Sequence, residues 1–170
     1  MNLKDYIAAV KDFPIEGILF RDITPLLASG EAFKETCDQI AKFAEEVGAN
    51  VVAGPESRGF IFGCPVATSL GIGFVPIRKP NKLPRETVSQ SYDLEYGTNT
   101  LCMHKDAIIP GQKVVIVDDL LATGGTLAAA TKLIESLGGE VVGIVCVIEL
   151  VDLKGREALA GYNVHSVLKY

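Results

Sequence analysis

Residues 114–126 read VVIVDDLLATGGT and combine an apolar run, two adjacent carboxylates and a turn of small residues. The apolar residues predict a buried strand that ends at Asp118 and Asp119, and a helix is predicted to open directly after the turn. A helix N-terminus presents unpaired N–H groups and the positive end of a dipole, so it stabilises a phosphate monoester. Glycines let the backbone approach the anion, and threonine hydroxyls add donors. The segment predicts a site for a phosphorylated sugar, whose hydroxyls would donate to the carboxylates.

The same residues would also suit a plain strand-to-helix turn with a solvated acidic end. A Gly-rich turn alone would not decide between the two readings, but the apolar run, the acidic pair and TGGT together are more specific. The segment is not a P-loop, because no lysine follows the glycines, and it lacks the GxGxxG spacing. Its predicted position also fits, since ligands bind at the carboxyl ends of strands in open α/β sheets.

Alternating apolar strands and helices surround this segment. Strands are predicted over residues 50–54, 73–78, 113–118, 140–150 and 163–169, and helices over 31–47, 59–70 and 127–137. Val/Ile runs separated by helices favour a mostly parallel sheet covered on both faces, an α/β fold. A short amphipathic helix over residues 3–13 and an irregular arm over 14–30 are expected first. Residues 79–103 predict a mobile loop followed by a β-hairpin, and long insertions of this kind are usually functional.

Composition limits the class of protein. A chain of 170 residues predicts one domain, residues 1–170, and a net charge of −5 disfavours general binding to nucleic acid or an anionic membrane. The apolar runs are about a dozen residues or shorter, too short to span a bilayer. The four cysteines match no zinc or disulfide framework, and the N-terminus lacks a signal-peptide core. These features predict a cytoplasmic protein with reduced thiols.

Residues 114–126 resemble the phosphoribosyl-pyrophosphate signature of the type I phosphoribosyltransferases. The resemblance implies that Asp118 and Asp119 hold the ribose 2′ and 3′ hydroxyls and that the following loop wraps the 5-phosphate. The loop residues concerned are Ala122, Thr123, Gly124, Gly125 and Thr126. The implied fold is a mostly parallel sheet flanked by helices, with a small N-terminal hood (residues 1–30) and a flexible β-hairpin loop (residues 79–103).

Further segments are similar to those of the adenine phosphoribosyltransferases, in that family's order and at its spacing. They are FRDI with the following Pro25, GPESRGF at 54–60, IRK and KLP between 77 and 84, SYDLEYG at 91–97 and LKGR at 153–156. The resemblance covers nearly the whole chain. It implies purine salvage: adenine and 5-phosphoribosyl-1-pyrophosphate are converted to AMP and pyrophosphate.

The GPESRGF segment is implied to bind the phosphoribosyl pyrophosphate through Glu56, Ser57 and Arg58. The resemblance also implies a cis peptide between Glu56 and Ser57 that presents its N–H to pyrophosphate. An arginine suits a phosphate as a fork-shaped cation. The alternative for Arg58 is a surface salt bridge.

Arg78, Lys79, Lys82 and Arg85 form the one dense basic cluster of the sequence. The cluster is either a solvated loop or a cover for pyrophosphate with magnesium. In the family the residues at Arg78 and Lys79 approach pyrophosphate, often that of the neighbouring subunit, which implies a homodimer. Mg²⁺ is expected to arrive with its pyrophosphate ligand, without a cage of protein side chains.

The resemblance places Glu95 as the general acid/base that manages the proton on adenine N7. The alternative is an exposed hairpin glutamate. The resemblance also implies how adenine is bound. Backbone atoms near Leu19 would accept from the 6-amino group, and Phe20 would stack on the ring. Arg21 would contact a ring nitrogen, and Leu120 would close the opposite face of the ring. Simple core packing is the alternative for Leu19 and Phe20.

Two other functions stay open at this point. One is a phosphoribosyltransferase for another purine, such as xanthine or hypoxanthine. The other is a regulator that uses the fold only to sense phosphoribosyl pyrophosphate and binds DNA or RNA. Such a regulator is disfavoured because the sequence has no extra helix-turn-helix length and no basic face.

Overall fold

The computed structural model describes residues 1–94 and 96–170. They form two compact units, Met1–Gln39 and Ile40–Tyr170. The first unit holds a small hairpin, short helices and the first part of the helix over Gly30–Glu46, and the second holds the main sheet with its helices.

The first unit begins with a 3₁₀ turn over Leu3–Tyr6 and continues with an antiparallel hairpin of β1 (Ala8–Lys11) and β2 (Leu19–Asp22). The helix predicted over residues 3–13 is therefore wrong beyond its first turn. The conformation of β1 is determined by its pairing with β2, about ten residues further along the chain. The local spacing of apolar residues does not indicate that pairing. The arm predicted as irregular likewise contains β2 and a short helix, α1 (Thr24–Ala28).

The helix predicted over residues 31–47 is confirmed as α2 (Gly30–Glu46). The Ser29 hydroxyl accepts from the backbone N–H of Ala32 at 3.2 Å, which caps the first turn. Gly48 follows the last turn with φ +75°, a left-handed conformation that glycine adopts without steric cost. Of the helices in residues 1–94 and 96–170, none is both long and apolar enough to cross a bilayer.

The second unit is built on a five-stranded parallel sheet with strand order β4-β3-β7-β8-β9. Its elements are β3 (Val51–Pro55), α3 (Arg58–Leu70), β4 (Gly73–Ile77), β5 (Thr87–Asp93), β6 (Thr98–His104), β7 (Lys113–Leu121), α4 (Gly125–Ser136), β8 (Glu140–Glu149), α5 (Gly155–Ala158) and β9 (Val164–Lys169). The predicted parallel sheet flanked by helices is confirmed. Val114 to Val117 of β7 have no exposed surface, as expected of a central strand covered on both faces.

The order of the strands reverses between β3 and β7. The chain leaves β3 through α3 to β4 on one side, and leaves β7 through α4 to β8 on the other. A Cβ atom built on Gly54 or Gly59 would lie 3.0 Å from the carbonyl oxygen of Val117. The two glycines thus let the start of α3 pack directly against β7. A cleft outside the carboxyl ends of β3 and β7 is the position where such sheets bind ligands.

The hairpin predicted within residues 79–103 is confirmed as β5 and β6, which pair antiparallel from Thr87 with His104 to Asp93 with Thr98. An isolated bridge between Arg78 and Cys102 ties β6 to the end of β4.

Candidate active site

A cleft of about 500 Å³ opens at the carboxyl ends of β3 and β7. Its lining comprises Pro55, Glu56, Ser57, Arg58, Lys79 and residues 118–127. The structure thus brings together the acidic pair, the TGGT loop, the GPESRGF segment and Leu120, which the sequence predicts to act on one ligand.

The two carboxylates lie inside β7 and not at its end, which differs from the predicted strand of residues 113–118. The strand continues to Leu121 because Leu120 and Leu121 pair with Ile148 and Glu149 of β8. Asp119 is buried and its backbone N–H donates to Asp118 Oδ1 at 2.8 Å.

Arg58 begins α3 and forms an ion pair inside the cleft. Its Nε lies 2.8 Å from Oδ2 of Asp119, whose side chain is only 10% exposed. A Cβ atom at Gly59 would lie 3.2 Å from Asp118 Oδ1, so the first turn of α3 is held directly against the acidic pair. The salt bridge that was the alternative for Arg58 is thus present as an ion pair of the cleft wall, and about half of the Arg58 side chain stays exposed. Its contact with a phosphate stays a prediction.

Burial raises the pKa of Asp118 well above its usual range, and the neighbouring charge of Asp119 raises it further. A ligand that offers hydroxyl donors would stabilise the ionised form. The pair is thus costly in the ligand-free protein and suited to a sugar with two adjacent hydroxyls.

The raised pKa of Asp118 predicts a pH-dependent gain in stability for Asp118→Asn. Above about pH 4 the unfolded state loses the proton first, so wild-type stability falls as pH rises, until pH passes the folded-state pKa. Each pH unit in that window changes the difference in free energy of unfolding between the variant and wild type by up to about 1.4 kcal/mol, or about 3–5 °C in Tm. Melting curves from pH 4.5 to 8 should show the Tm advantage of the variant growing with pH.

The control for this experiment is Asp106→Asn. Asp106 is an exposed carboxyl whose pKa is lowered by a hydrogen bond from Arg85, so its loss should bring no such gain. A Tm difference between Asp118→Asn and wild type that stays constant across pH would contradict the prediction.

Residues 122–126, called here the β7–α4 loop, comprise the turn after β7 and the first two residues of α4. Gly124 has φ +89° and is the N-cap of the helix. Because glycine has no side chain, the N-cap residue makes no side-chain hydrogen bond to the first turn. The N–H groups at this end of α4 therefore lack a side-chain cap and line the cleft, which is the arrangement that binds a phosphate.

Tyr92 of the hairpin touches this loop, a contact that sequence reasoning missed. The oxygen atoms of the Tyr92 and Thr126 hydroxyls lie 2.9 Å apart, and a Cβ atom at Gly125 would lie 3.2 Å from the Tyr92 ring. The alternation of the SYDLEYG segment indicates a strand, but nothing in it indicates which loop the ring meets. The hairpin and the β7–α4 loop are thus in direct contact.

Glu56 holds part of the basic cluster at the edge of the cleft. The Glu56–Ser57 peptide is cis, as the resemblance implies. Glu56 Oε1 accepts from the backbone N–H of Lys79 at 2.9 Å and from Arg78 Nε at 3.1 Å, and these contacts lower the pKa of Glu56. Arg78 Nη1 also donates to the carbonyl oxygen of Lys82 at 3.4 Å. Lys79 lines the cleft, while Arg78 and Lys82 are outside its described lining.

The residues predicted to bind the base lie in both units. Leu19, Phe20 and Arg21 belong to β2, where Leu19 is exposed and the half-buried Phe20 packs edge-on against Phe13 with ring centroids 5.1 Å apart. Leu120 lines the cleft of the second unit. Glu95 lies outside the described residues, so its predicted role as general acid/base stays a prediction.

Together, the switch-point cleft, its acidic pair and its uncapped helix define the class of enzymes that handle a phosphorylated ribose. Known proteins agree: a model of the phosphoribosyl transferase domain matches residues 27–164. The chain is 62% identical over 170 residues to an adenine phosphoribosyltransferase of Lactobacillus gasseri, covering 100% of this chain and 97% of that protein. The chain belongs to the adenine phosphoribosyltransferase family.

Solved structures agree with this assignment. The adenine phosphoribosyltransferase of Thermoanaerobacter pseudethanolicus superimposes with a TM-score of 0.95 at 53% identity, over 99% of this chain and 98% of that one. The enzyme of Saccharomyces cerevisiae gives a TM-score of 0.93 at 40% identity, over 98% and 96% of the two chains. The yeast structure contains adenine and an imino-altritol bisphosphate.

Proposed function

We propose that the chain transfers ribose 5-phosphate from 5-phosphoribosyl-1-pyrophosphate to N9 of adenine, which yields AMP and pyrophosphate. The observation that carries this proposal is the cleft at the switch point, where the β7–α4 loop and the Asp118–Asp119 pair lie side by side. Phosphate and vicinal hydroxyls are the two features of a ribose 5-phosphate that such neighbours recognise. The adenine and bisphosphate in the yeast relative support it.

The sugar phosphate is recognised from two directions. The N–H groups at the start of α4 and the hydroxyls of Thr123 and Thr126 donate to the 5-phosphate. Asp118 and Asp119 accept from the 2′ and 3′ hydroxyls, and the ribose hydroxyls replace part of the hydration that burial removes from the two carboxylates. Arg58 Nε lies 2.8 Å from Asp119 Oδ2, so this ion pair fixes the orientation of the carboxylate that accepts from the ribose.

The leaving pyrophosphate meets the basic side of the cleft. Ser57 offers its backbone N–H, Arg58 and Lys79 offer cationic donors, and Glu56 fixes Lys79 through the backbone hydrogen bond. Arg78 and Lys82 add positive charge behind them. In the described part of the chain no three acidic, histidine or cysteine side chains cluster as metal ligands. We infer that a Mg²⁺ ion would be held mainly by substrate oxygens and retained waters. Such an ion would neutralise charge on the leaving group.

The reaction is a displacement at C1 of the ribose through an oxocarbenium-like state, with adenine attacking opposite to the pyrophosphate. Positioned charge around the leaving group and exclusion of water supply most of the acceleration. Glu95 manages the proton on N7 of adenine. The hairpin loop covers the site and prevents hydrolysis of the sugar pyrophosphate, and the Tyr92–Thr126 contact supports a direct link between that loop and the phosphate.

Selection of adenine rests on the residues that the family resemblance implies, Leu19, Phe20, Arg21 and Leu120. The backbone near Leu19 accepts from the 6-amino group, Phe20 stacks on the ring and Arg21 contacts a ring nitrogen. A backbone carbonyl facing C6 attracts an amino donor and repels the oxo group of hypoxanthine or guanine. An unpaired buried polar group costs about 1–3 kcal/mol, which is enough to discriminate between these bases.

We infer further that one domain, residues 1–170, carries the activity, with residues 1–30 as hood and 79–103 as flexible loop. The enzyme acts as a homodimer, as the family resemblance implies, and it acts in the cytoplasm, as the composition predicts. Size-exclusion chromatography with light scattering tests the dimer: a monomer at micromolar concentration would contradict it.

A base panel tests the proposed function. The purified protein is incubated with Mg²⁺, phosphoribosyl pyrophosphate and adenine, hypoxanthine, guanine or xanthine, and nucleotide formation is followed. We expect AMP formation, with kcat/KM for adenine higher than for any oxopurine by about 10²-fold or more. Preference for an oxopurine would contradict the assignment of the base. Nucleic-acid binding without turnover of any base would contradict the proposal that the protein is an enzyme.

A further inference from the structure

The short helix α5 contacts the β7–α4 loop, and its four residues are not part of the cleft lining. We propose that the ion pair between Arg156 and Glu149 fixes this helix in place and thereby sets the shape of the β7–α4 loop for a phosphate. Arg156 is then a positioning residue that acts through the backbone of α5. The inference rests on the proposed function, since it assumes that the loop holds the 5-phosphate of the sugar.

Two glycines bring α5 and the loop into backbone contact. A Cβ atom at Gly155 would lie 2.5 Å from the carbonyl oxygen of Ala122 and 2.6 Å from Cδ1 of Leu121. A Cβ atom at Gly124 would lie 2.6 Å from the carbonyl oxygen of Gly155 and 2.9 Å from Cβ of Ala158. The backbones of the loop and of α5 thus approach closely at both glycines, so a displacement of α5 would be transmitted to the loop.

Arg156 ties α5 to the last two strands of the sheet. Its Nε lies 3.0 and 2.9 Å from the two carboxylate oxygens of Glu149 on β8. Its Nη1 donates to the carbonyl oxygen of Val164 at 2.9 Å and its Nη2 to the Ser166 hydroxyl at 3.4 Å, both on β9. Ser166 in turn donates to Glu149 Oε1 at 2.5 Å, so the carboxylate accepts three hydrogen bonds from two donors, Arg156 Nε and the Ser166 hydroxyl.

The ion pair between Arg156 and Glu149 restrains the position of α5. The Glu149 side chain is only 5% exposed, so its geometry is fixed by neighbours on all sides. The helix has four residues, too few to hold a conformation by its own hydrogen bonds. A planar guanidinium fixes direction as well as distance, which lysine does not. Because backbone N–H groups recognise phosphate at close range, a small shift of the loop weakens binding without unfolding the protein.

Ribose 5-phosphate is the probe that isolates this effect, because it carries the phosphate and the hydroxyls but neither adenine nor pyrophosphate. Calorimetric titration of Arg156→Lys and of Gly155→Ala should give a Kd for ribose 5-phosphate about 10-fold or more above wild type. In kinetics, KM for phosphoribosyl pyrophosphate should rise while KM for adenine stays unchanged. Gly155→Ala tests the contact directly, since the added Cβ must push against Ala122.

Each variant has a matched control outside the site. Gly73→Ala adds a Cβ in ordinary contact with Val51, 3.8 Å away, and Ile144→Val removes one buried methylene from β8. Both should bind ribose 5-phosphate as wild type does, although Ile144→Val lowers Tm. A role in stability alone would lower the Tm of Arg156→Lys and leave its affinity at 20 °C unchanged.

The outcomes separate the two proposals. Wild-type affinity in folded Arg156→Lys, or in Gly155→Ala if the lysine variant does not fold, overturns the role of the ion pair while the proposed function stands. If the wild-type protein itself binds no ribose 5-phosphate, the proposed function fails and the inference fails with it. Weakened binding in both variants with unchanged controls supports the inference.

Discussion

Replacing Glu95 by glutamine is expected to lower kcat by about 10²–10⁴-fold, the usual contribution of a positioned general acid or base. Affinity for phosphoribosyl pyrophosphate should change little, since the carboxyl acts on the proton of the base and not on the sugar phosphate. Steady-state kinetics with adenine, together with titration of phosphoribosyl pyrophosphate in the absence of base, separates the two effects.

Asp93→Asn is the matched control for this variant. It removes a carboxylate two residues earlier in the chain, on a side chain that is exposed to solvent, and it should retain wild-type kcat. A near-normal kcat for Glu95→Gln would remove Glu95 from the mechanism. Equal losses in both variants would point to the charge of the hairpin as a whole.

The second large effect is expected at the N-cap of α4. Gly124→Ala should lower kcat/KM for phosphoribosyl pyrophosphate by about 10²-fold, because the loop must move away from its productive geometry. Two causes act together. Gly124 has φ +89°, which costs a side chain about 1–2 kcal/mol. The new Cβ would also lie 2.6 Å from the carbonyl oxygen of Gly155.

Gly71→Ala separates the cost of the conformation from that of the contact. Gly71 ends α3 with φ +68° and has nothing within 4 Å of an added Cβ. We expect it to lower Tm by a few degrees, since about 1 kcal/mol corresponds to about 2–4 °C at this chain length, and to leave kinetics unchanged. Comparable loss of kcat/KM in both variants would contradict the role of the β7–α4 loop.

The sheet and the cleft could be predicted because their signals are local. The Val/Ile runs of β7 and β8 indicate strands that are buried on both faces. The DD and TGGT segments indicate a strand followed by an uncapped helix N-terminus. Where the prediction failed, non-local pairing decided the structure. Ala8–Lys11 is a strand because β2 is its partner, and β7 continues past Asp118 because β8 accompanies it to Glu149.

Contacts between distant elements were not predictable from the sequence. Tyr92 and Thr126 are 34 residues apart, and neither residue type indicates that the hydroxyls meet. The ion pair of Arg156 with Glu149 joins α5 to β8, and the LKGR segment carries no sign of it beyond its resemblance to the family. Side-chain partners across elements follow from the packing of the sheet, which periodicity does not specify.

A crystal structure of the protein with AMP tests the central claim most directly. The account predicts the phosphate of AMP in the β7–α4 loop, with its oxygens within about 3 Å of backbone nitrogens at the start of α4. The ribose hydroxyls should contact Asp118 and Asp119. Nucleotide density at any other place on the chain, with this loop empty at saturating AMP, would contradict the account.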